Sequence, residues 1–395
     1  MRYIKPVMIL AQLCACTLAW GQITKSVSVD SAQQISLSGS VDTYYHKAFN
    51  TNESAPRTSF SNLPGFSLGM INFVLEYSGS KTGVVTDLVF GPRGTDAIFN
   101  APAAKNVQGG GSSHLINQMF VYYLINDHVR FNAGQFNTFV GYETITPVKN
   151  VHYSTSYLFS YGPFNHTGVW ADLKFSEHCS AKVALMNPTD YTEFNPFNLY
   201  TIGGQLSVTG KNAVLNFNIT YGDPDGKINA SDSIGSVSSG NAFQMDFTGS
   251  VNPSEKFNIG LSTSLRSIGS GQLKATDSDR TVVEGGGYYG FAVYQTLALS
   301  ASTKIALRTE RFIEYNKGVG AIGTYTDSGR ASVTSLTLSA NFTRSNLRLI
   351  PELRLDKTST ESFTASSTNI STNQMFSMNL ALVYSIPGIT FKTTK

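Results

Sequence analysis

The sequence has few charged residues for its length. Only 14% of its 395 residues are Asp, Glu, Lys or Arg, against roughly 25% in typical soluble domains. The formal net charge is only +3, and no cluster of Lys and Arg is interleaved with aromatic residues that could stack on bases. Nucleic acid is therefore excluded as a partner. Aromatic residues make up 12% of the chain and glycine contributes 35 residues, a composition that is typical of a β-rich protein.

Long apolar runs and cysteines are also scarce. The one long apolar stretch, residues 7–20, follows Arg2 and Lys5 and ends in "AWGQ", as in a secretory signal peptide. We expect residues 1–22 to be cleaved. No other run approaches the ~20 residues of a spanning helix. Outside that signal only Cys179 remains, so the mature chain cannot form an internal disulfide. A lipoprotein site at Cys16 is the less favoured alternative, because "LCA" matches the small-residue box imperfectly.

The most regular feature of the sequence is an alternation of period two. In "NLRLIPELRLD", residues 346–356, the leucines share one parity and the charged residues share the other, which puts them on opposite faces of a strand. Each predicted strand is close to the ~9–11 residues that cross a bilayer when tilted. The pattern predicts about sixteen strands, at residues 35–46, 67–77, 82–90, 114–125, 128–139, 164–175, 179–186, 199–209, 212–221, 242–251, 256–268, 286–299, 301–312, 332–343, 346–357 and 373–386.

The connections between these strands alternate between short and long. Short joints such as "ND" (126–127) and "GK" (210–211) follow long polar loops, among them residues 91–113, 140–163, 223–241 and 269–285. Bacterial outer-membrane barrels have short periplasmic turns and longer extracellular loops. We therefore predict an all-β, transmembrane, antiparallel up-and-down barrel of about 16 strands. Residues 23–34 would form a periplasmic N-terminal segment, and residues 35–395 a single barrel domain in the outer membrane of a Gram-negative cell.

The two faces of the predicted strands differ in charge. The apolar parity carries almost no charge, as lipid would require, since a charge near the bilayer midplane costs roughly 2–4 kcal/mol. The other parity is rich in ionisable residues, too many to be buried dry. A barrel of about sixteen to eighteen strands leaves an aqueous channel, so these residues should line water. Pro351 lies mid-strand where it cannot donate to a ladder, and we expect a bulge there.

The centre of the chain resembles a known family. The segments "FNAGQFNTFVGYETI" (131–145) and "SYLFSYGPFNHTGVWADLKFS" (156–176) are similar to the β-barrel porin family described as OmpL-like. The resemblance extends from about Ile35 to near the C-terminus. It implies an outer-membrane channel without catalytic residues.

The third long loop, residues 140–163, is the predicted constriction, because in sixteen-stranded general porins, which the strand count resembles, this loop folds into the lumen. Glu143, Lys149 and His152 would then face wall arginines and set a transverse field that screens solutes by charge. The plainer alternative is a set of solvated charges with no selectivity. The pore-lining candidates are Arg130, Asn132, Glu143, Lys149, His152, Asp172, Lys174, Asp246, Arg266, Arg308, Glu310, Arg348, Glu352 and Arg354.

These features predict a porin, not an enzyme: a passive diffusion channel for small hydrophilic solutes or ions with weak charge selectivity. Asp42 and His46 share a face and leave open a barrel lipase or protease, and the long loops leave open an adhesin or structural barrel. No metal spacing such as H-E-x-x-H occurs, and no cofactor is expected. The expected partners are outer-membrane lipid and lipopolysaccharide, the barrel-assembly machinery and small hydrophilic solutes, with a possible homo-oligomer.

Overall fold

Sixteen antiparallel strands close into one barrel. The computed structural model describes residues 33–98, 112–195, 199–222, 237–238, 241–269, 271–274, 280–283 and 285–392. Each barrel strand pairs with its neighbours in the chain, and the last strand closes against the first. The strands are β1 (Gln34–Ala48), β2 (Gly65–Ser78), β3 (Thr82–Phe90), β4 (Ile116–Asn126), β5 (Val129–Asn137), β6 (Asn165–Lys174), β7 (Cys179–Met186), β8 (Thr201–Thr209), β9 (Ala213–Gly222), β10 (Ala242–Ser254), β11 (Phe257–Ile268), β12 (Gly287–Ala298), β13 (Thr303–Tyr315), β14 (Ala331–Arg344), β15 (Leu347–Thr358) and β16 (Gln374–Lys392).

The remaining elements are small and lie in the connections between barrel strands. They are helices α1 (Pro92–Ala97) and α2 (Tyr157–Tyr161), a 3-10 turn at Ser112–Leu115, and two small sheets, one of Val237–Ser238, Gly271–Lys274 and Arg280–Val283 and one of Phe363–Thr364 and Ser371–Thr372. Within the part of the chain that the structure describes, no helix is long and apolar enough to cross a membrane. The predicted fold class is confirmed.

The alternation of side chains along the strands produces the two faces of the wall. On β15 the side chains of Leu347 and Leu353 are exposed on the outside, whereas those of Glu352 and Arg354 are buried inside the barrel. Successive residues of a strand point to opposite faces, so the leucine parity faces outward along the whole strand. Aromatic residues, including Tyr221 near one rim and Tyr384 near the other, are exposed on that outer face, as in the two aromatic girdles of membrane barrels.

The predicted bulge at Pro351 is wrong. Ser339 of β14 lies opposite Glu352, and Phe342 lies opposite Leu349, so the register is the same on both sides of the proline. On the other side of the strand, Pro351 lies directly opposite Leu380 of β16. A proline removes one hydrogen-bond donor from a ladder, but here no residue is inserted to compensate, and the strand stays in register.

One end of the barrel carries short turns and the other carries long loops. The seven turns at the first end, for example residues 127–128 and 210–212, are two to four residues long, and the connections at the other end each exceed a dozen residues. β1 begins and β16 ends at the short-turn end. Only the long loops have enough residues to fold back into the barrel, and the loop between β5 and β6 does so.

A candidate constriction inside the barrel

Loop 3, defined here as residues 138–164 between β5 and β6, lies inside the barrel. Tyr153 and Thr155 in its middle and Tyr157 in α2 are almost completely buried. Tyr153 contacts Glu352 on β15, and Tyr157 contacts Glu310 on β13, although loop 3 leaves the wall between β5 and β6. The loop therefore crosses the lumen to the opposite wall, as the sequence predicted.

Carboxylates on the wall hold the backbone of loop 3 through its N–H groups. Glu352 accepts hydrogen bonds from the amides of Tyr153, at 2.8 Å, and Ser154, at 3.1 Å. Glu310 accepts from the first two amides of α2, at 2.9 and 2.8 Å, and Asp246 on β10 accepts from Gly141 at 3.1 Å. An ionised carboxylate only accepts hydrogen bonds, and charge-assisted bonds are stronger than neutral ones. The irregular backbone of loop 3 thus finds the partners that a sheet would otherwise provide.

Guanidinium groups on the wall hold the same loop through its carbonyl oxygens. Arg308 on β13 donates to the carbonyl of Ser154 at 2.8 Å, and Arg354 on β15 donates to that of Thr155 at 2.8 Å. Arg348 donates to the carbonyl of Pro147. Carboxylates and arginines alternate along the inner face, so the wall offers acceptors to the loop's N–H groups and donors to its C=O groups.

Loop 3 also contributes a charge of its own to this contact. The Glu143 side chain lies 2.6 Å from the Arg308 guanidinium and accepts hydrogen bonds from the amide and hydroxyl of Ser156. Both members of the pair are buried. Removing one partner of a buried ion pair leaves an uncompensated charge and typically costs about 3–5 kcal/mol. Glu143 and Arg308 therefore fasten the loop to the wall.

His152 of loop 3 is a neutral link in this network. Its Nδ1 lies 2.7 Å from the hydroxyl of Ser339, which donates to Glu352 at 2.9 Å. Burial, together with the nearby positive charge of Arg308, lowers the pKa of His152 to about 3. The neutral imidazole must then carry its proton on Nδ1, because the Ser339 hydroxyl is already used as a donor. His152 thus connects the loop to the wall without carrying charge.

Apolar and aromatic packing supports the polar contacts. The ring of Tyr142 stacks on Tyr294 of β12, with centroids 4.4 Å apart, and a Cβ atom at Gly260 of β11 would collide with the Tyr142 ring. Tyr157 and Leu158 belong to a buried cluster with Tyr288 and other wall residues. This side of the lumen is therefore filled by protein.

Other predicted pore residues form a second group. Asp172 of β6 lies 2.8 Å from Arg130 and 2.6 Å from Lys182, and accepts a hydrogen bond from Asn132 at 3.0 Å. The sequence did not single out Lys182, although it lies directly opposite Asp172 in the β6–β7 pair.

Two further candidates, Arg266 and Lys174, lie apart from the loop contacts described above. Arg266 donates to Gln244 at 2.8 Å, and Lys174 is the last residue of β6, next to a short turn. Eight of the fourteen candidates thus meet at loop 3: Glu143, His152, Asp246, Arg308, Glu310, Arg348, Glu352 and Arg354.

A cavity of about 400 Å³ remains beside loop 3. It reaches residues 209–214 and 252–258, around two of the short turns, and Lys149 lines it as an exposed side chain inside the barrel. Sequence reasoning missed most of its walls, which include Phe136 and Trp170, with ring centroids 4.0 Å apart. Trp170 lies on the inner face of β6, two residues before Asp172. An aromatic residue among the polar residues of that face was the feature of the sequence that could have indicated an aromatic part of the cavity wall.

The described residues give no support for a catalytic pair or a metal site. Asp42 accepts hydrogen bonds from the Tyr153 hydroxyl, at 2.6 Å, and the Met70 amide. His46 bonds instead to Asn379 and to the carbonyl of Ser54. In the described ranges no group of three or more His, Cys, Asp or Glu residues could hold a metal ion.

A closed barrel of sixteen strands whose third loop is folded into the lumen defines an outer-membrane porin. The family model "Putative beta-barrel porin-2, OmpL-like" matches residues 34–385, and the chain belongs to this family. The predicted resemblance is confirmed, and with it an outer-membrane location.

Solved structures share the fold. The loop L8 deletion mutant of OmpT, an outer membrane protein of Vibrio cholerae, has a TM-score of 0.56 and 11% identity over 90% of this chain and 99% of that chain. The outer membrane channel DcaP of Acinetobacter baumannii has a TM-score of 0.56 and 9% identity over 90% and 98%. An anion-selective porin from Comamonas acidovorans has a TM-score of 0.53 and 10% identity over 90% and 100%. A search of curated proteins found no sequence match.

Proposed function

We propose that the chain is a passive diffusion pore for small hydrophilic solutes and performs no catalytic step. The observation that carries this proposal is the cavity beside loop 3, which is lined by polar, charged and aromatic side chains and extends to two of the short turns. Loop 3 narrows the lumen without filling it. The engagement of Asp42 and His46 with other partners argues against the lipase or protease alternative.

The orientation follows from the same proposal. The short turns and both termini would lie in the periplasm, with the long loops outside the cell. Residues 1–22, which lie outside the described residues, would export the chain as a signal peptide. Outer-membrane lipid, lipopolysaccharide and the barrel-assembly machinery remain proposed partners of the apolar outer face, and a homo-oligomer remains a proposal as well.

Planar-bilayer recording of the purified, refolded chain tests the function. A porin gives discrete, stable conductance steps, and liposomes that contain it swell in small uncharged sugars but not in large oligosaccharides. A closed enzyme or adhesin barrel gives neither signal. A properly folded protein without steps and without sugar permeation would contradict the proposal.

A further inference from the structure

The charges that line the cavity are mostly positive. Among the described residues, six of the lining side chains are cationic, namely Arg130, Lys149, Lys182, Lys211, Lys256 and Lys304, and two are acidic, Glu143 and Glu255. Glu143 is already paired with Arg308. The water inside the barrel therefore meets a basic wall, although the whole sequence is nearly neutral.

The cavity lining has an excess of positive charge because the carboxylates of the inner wall bind loop 3 or other side chains instead of facing the cavity. Glu310, Glu352 and Asp246 are buried and accept backbone amides of loop 3. Asp172 is buried between Arg130 and Lys182. These acids are covered by protein, and Arg130 and Lys182 are paired with Asp172. The other four cations of the cavity differ from them in exposure: Lys149, Lys211 and Lys256 are exposed and Lys304 is half-buried.

The cations occupy different depths of the path. Lys211 and Lys256 are exposed on two short turns that line the cavity. The Asn252 amide, near the end of β10, donates to the carbonyl of Asn212 in the first of these turns. Lys304 is the second residue of β13 and is half-buried, and Lys149 is exposed on loop 3. Lysines therefore line the path from the mouth to the constriction.

Fixed charges on the low-dielectric walls of a narrow, water-filled channel determine which ions concentrate there. Pores lined by Lys and Arg favour anions. The Debye length is about 10 Å at 0.1 M salt, so the field of these lysines is effective across a cavity of this size.

We propose that the pore prefers small anions, and that Lys149 and Lys304 determine this preference. The inference rests on the proposed function and adds the class of solute. Inorganic anions and small carboxylates or phosphates would pass more readily than cations of equal size.

Reversal potentials in a KCl gradient across a planar bilayer test the preference. We expect a chloride-to-potassium permeability ratio of roughly two or more for the wild-type chain. In Lys149→Gln/Lys304→Gln the ratio should fall toward one. Lys47→Gln is the matched control, because Lys47 is an exposed lysine at the long-loop end of β1 that does not line the cavity, and it should leave the ratio unchanged.

A second measurement needs no variant. Raising the salt from 0.1 to 1 M shortens the Debye length from about 10 Å to about 3 Å, so the wild-type preference should weaken. Conductance steps with a ratio of one or below would overturn the anion preference. A ratio above one that the double variant does not change would overturn the role of Lys149 and Lys304, and either result would leave the porin intact. A folded chain with no conductance would overturn the proposed function, and the preference with it.

Discussion

Glu352 is one of the wall residues that hold loop 3 in position. Its two carboxylate oxygens accept four hydrogen bonds, from the amides of Tyr153 and Ser154, the Ser339 hydroxyl and the Asn379 side-chain amide, at 2.8 to 3.1 Å. Glu352→Gln keeps the volume but replaces one acceptor oxygen by an NH₂ donor. Two of the four donors then lose their acceptor.

The size of the effect follows from the bonds that are lost. Each oxygen accepts one amide of loop 3 and one donor of the wall, so the change removes one of the two bonds to loop 3. A hydrogen bond to a charged group contributes about 1.5–3 kcal/mol, and the docking of loop 3 should weaken by about that amount. The barrel itself is held by its strand ladders and should still close. The loop should therefore leave its docked position for part of the time, and single-channel recordings should show a larger mean conductance and greater open-channel noise.

The matched control is Glu255→Gln. Glu255 is an exposed acid on a short turn that lines the same cavity, so this change removes the same charge without freeing the loop. Folding of both variants is checked by the heat-dependent shift in gel mobility that intact barrels show. A folded Glu352→Gln protein with wild-type conductance and noise would refute the anchoring role of this carboxylate.

Two further predictions concern the membrane face and the topology. Phe217 is exposed on the outer face in the middle of β9, so Phe217→Arg should impair folding into lipid by roughly 2–4 kcal/mol. Asn216 lines the cavity, and Asn216→Arg should still fold. Equal yields of the two variants in folding titrations with lipid vesicles would contradict the assignment of faces. In a Cys179→Ser background, Ser328→Cys in an exposed long loop should react with an impermeant maleimide on intact cells, and Gly210→Cys should not. Gly210 can accept a side chain, since the nearest atom to an added Cβ is 3.8 Å away. Equal labelling of the two cysteines would contradict the proposed orientation.

The strands could be predicted from the sequence because each residue's face depends only on its own parity. The alternation in residues 346–356 needed no knowledge of neighbouring strands, and the structure follows it through Pro351. The bulge predicted at Pro351 was wrong because a proline within a strand occurs both where a residue is inserted and where the ladder only loses one hydrogen bond. The sequence alone does not distinguish these two cases.

The partners of the inner charges could not be predicted in the same way. Arg308 and Glu310 share a parity, which places both inside, but their contacts with Ser154 and Tyr157 depend on how a loop crosses the lumen. Lys304 shares that parity too, yet it lines open space while Arg308 is buried. The parity of a residue predicts whether its side chain faces the inside or the outside of the barrel. It does not predict whether an inner side chain is buried against loop 3 or lines the cavity.

The conductance of a chain with a shortened loop 3 shows whether this loop constricts the pore. Replacing residues 144–156 by a short Gly-Ser linker removes the segment that contacts Arg308, Arg354 and Glu352, and water entering the lumen can hydrate these groups. A linker in place of residues 326–328, which are exposed in the long loop 316–330, is the control and should leave the conductance unchanged. If loop 3 constricts the pore, the first variant, once folded, has a clearly larger single-channel conductance than the wild type and admits larger uncharged sugars. A folded variant with wild-type conductance and the same size limit would show that loop 3 does not constrict the pore.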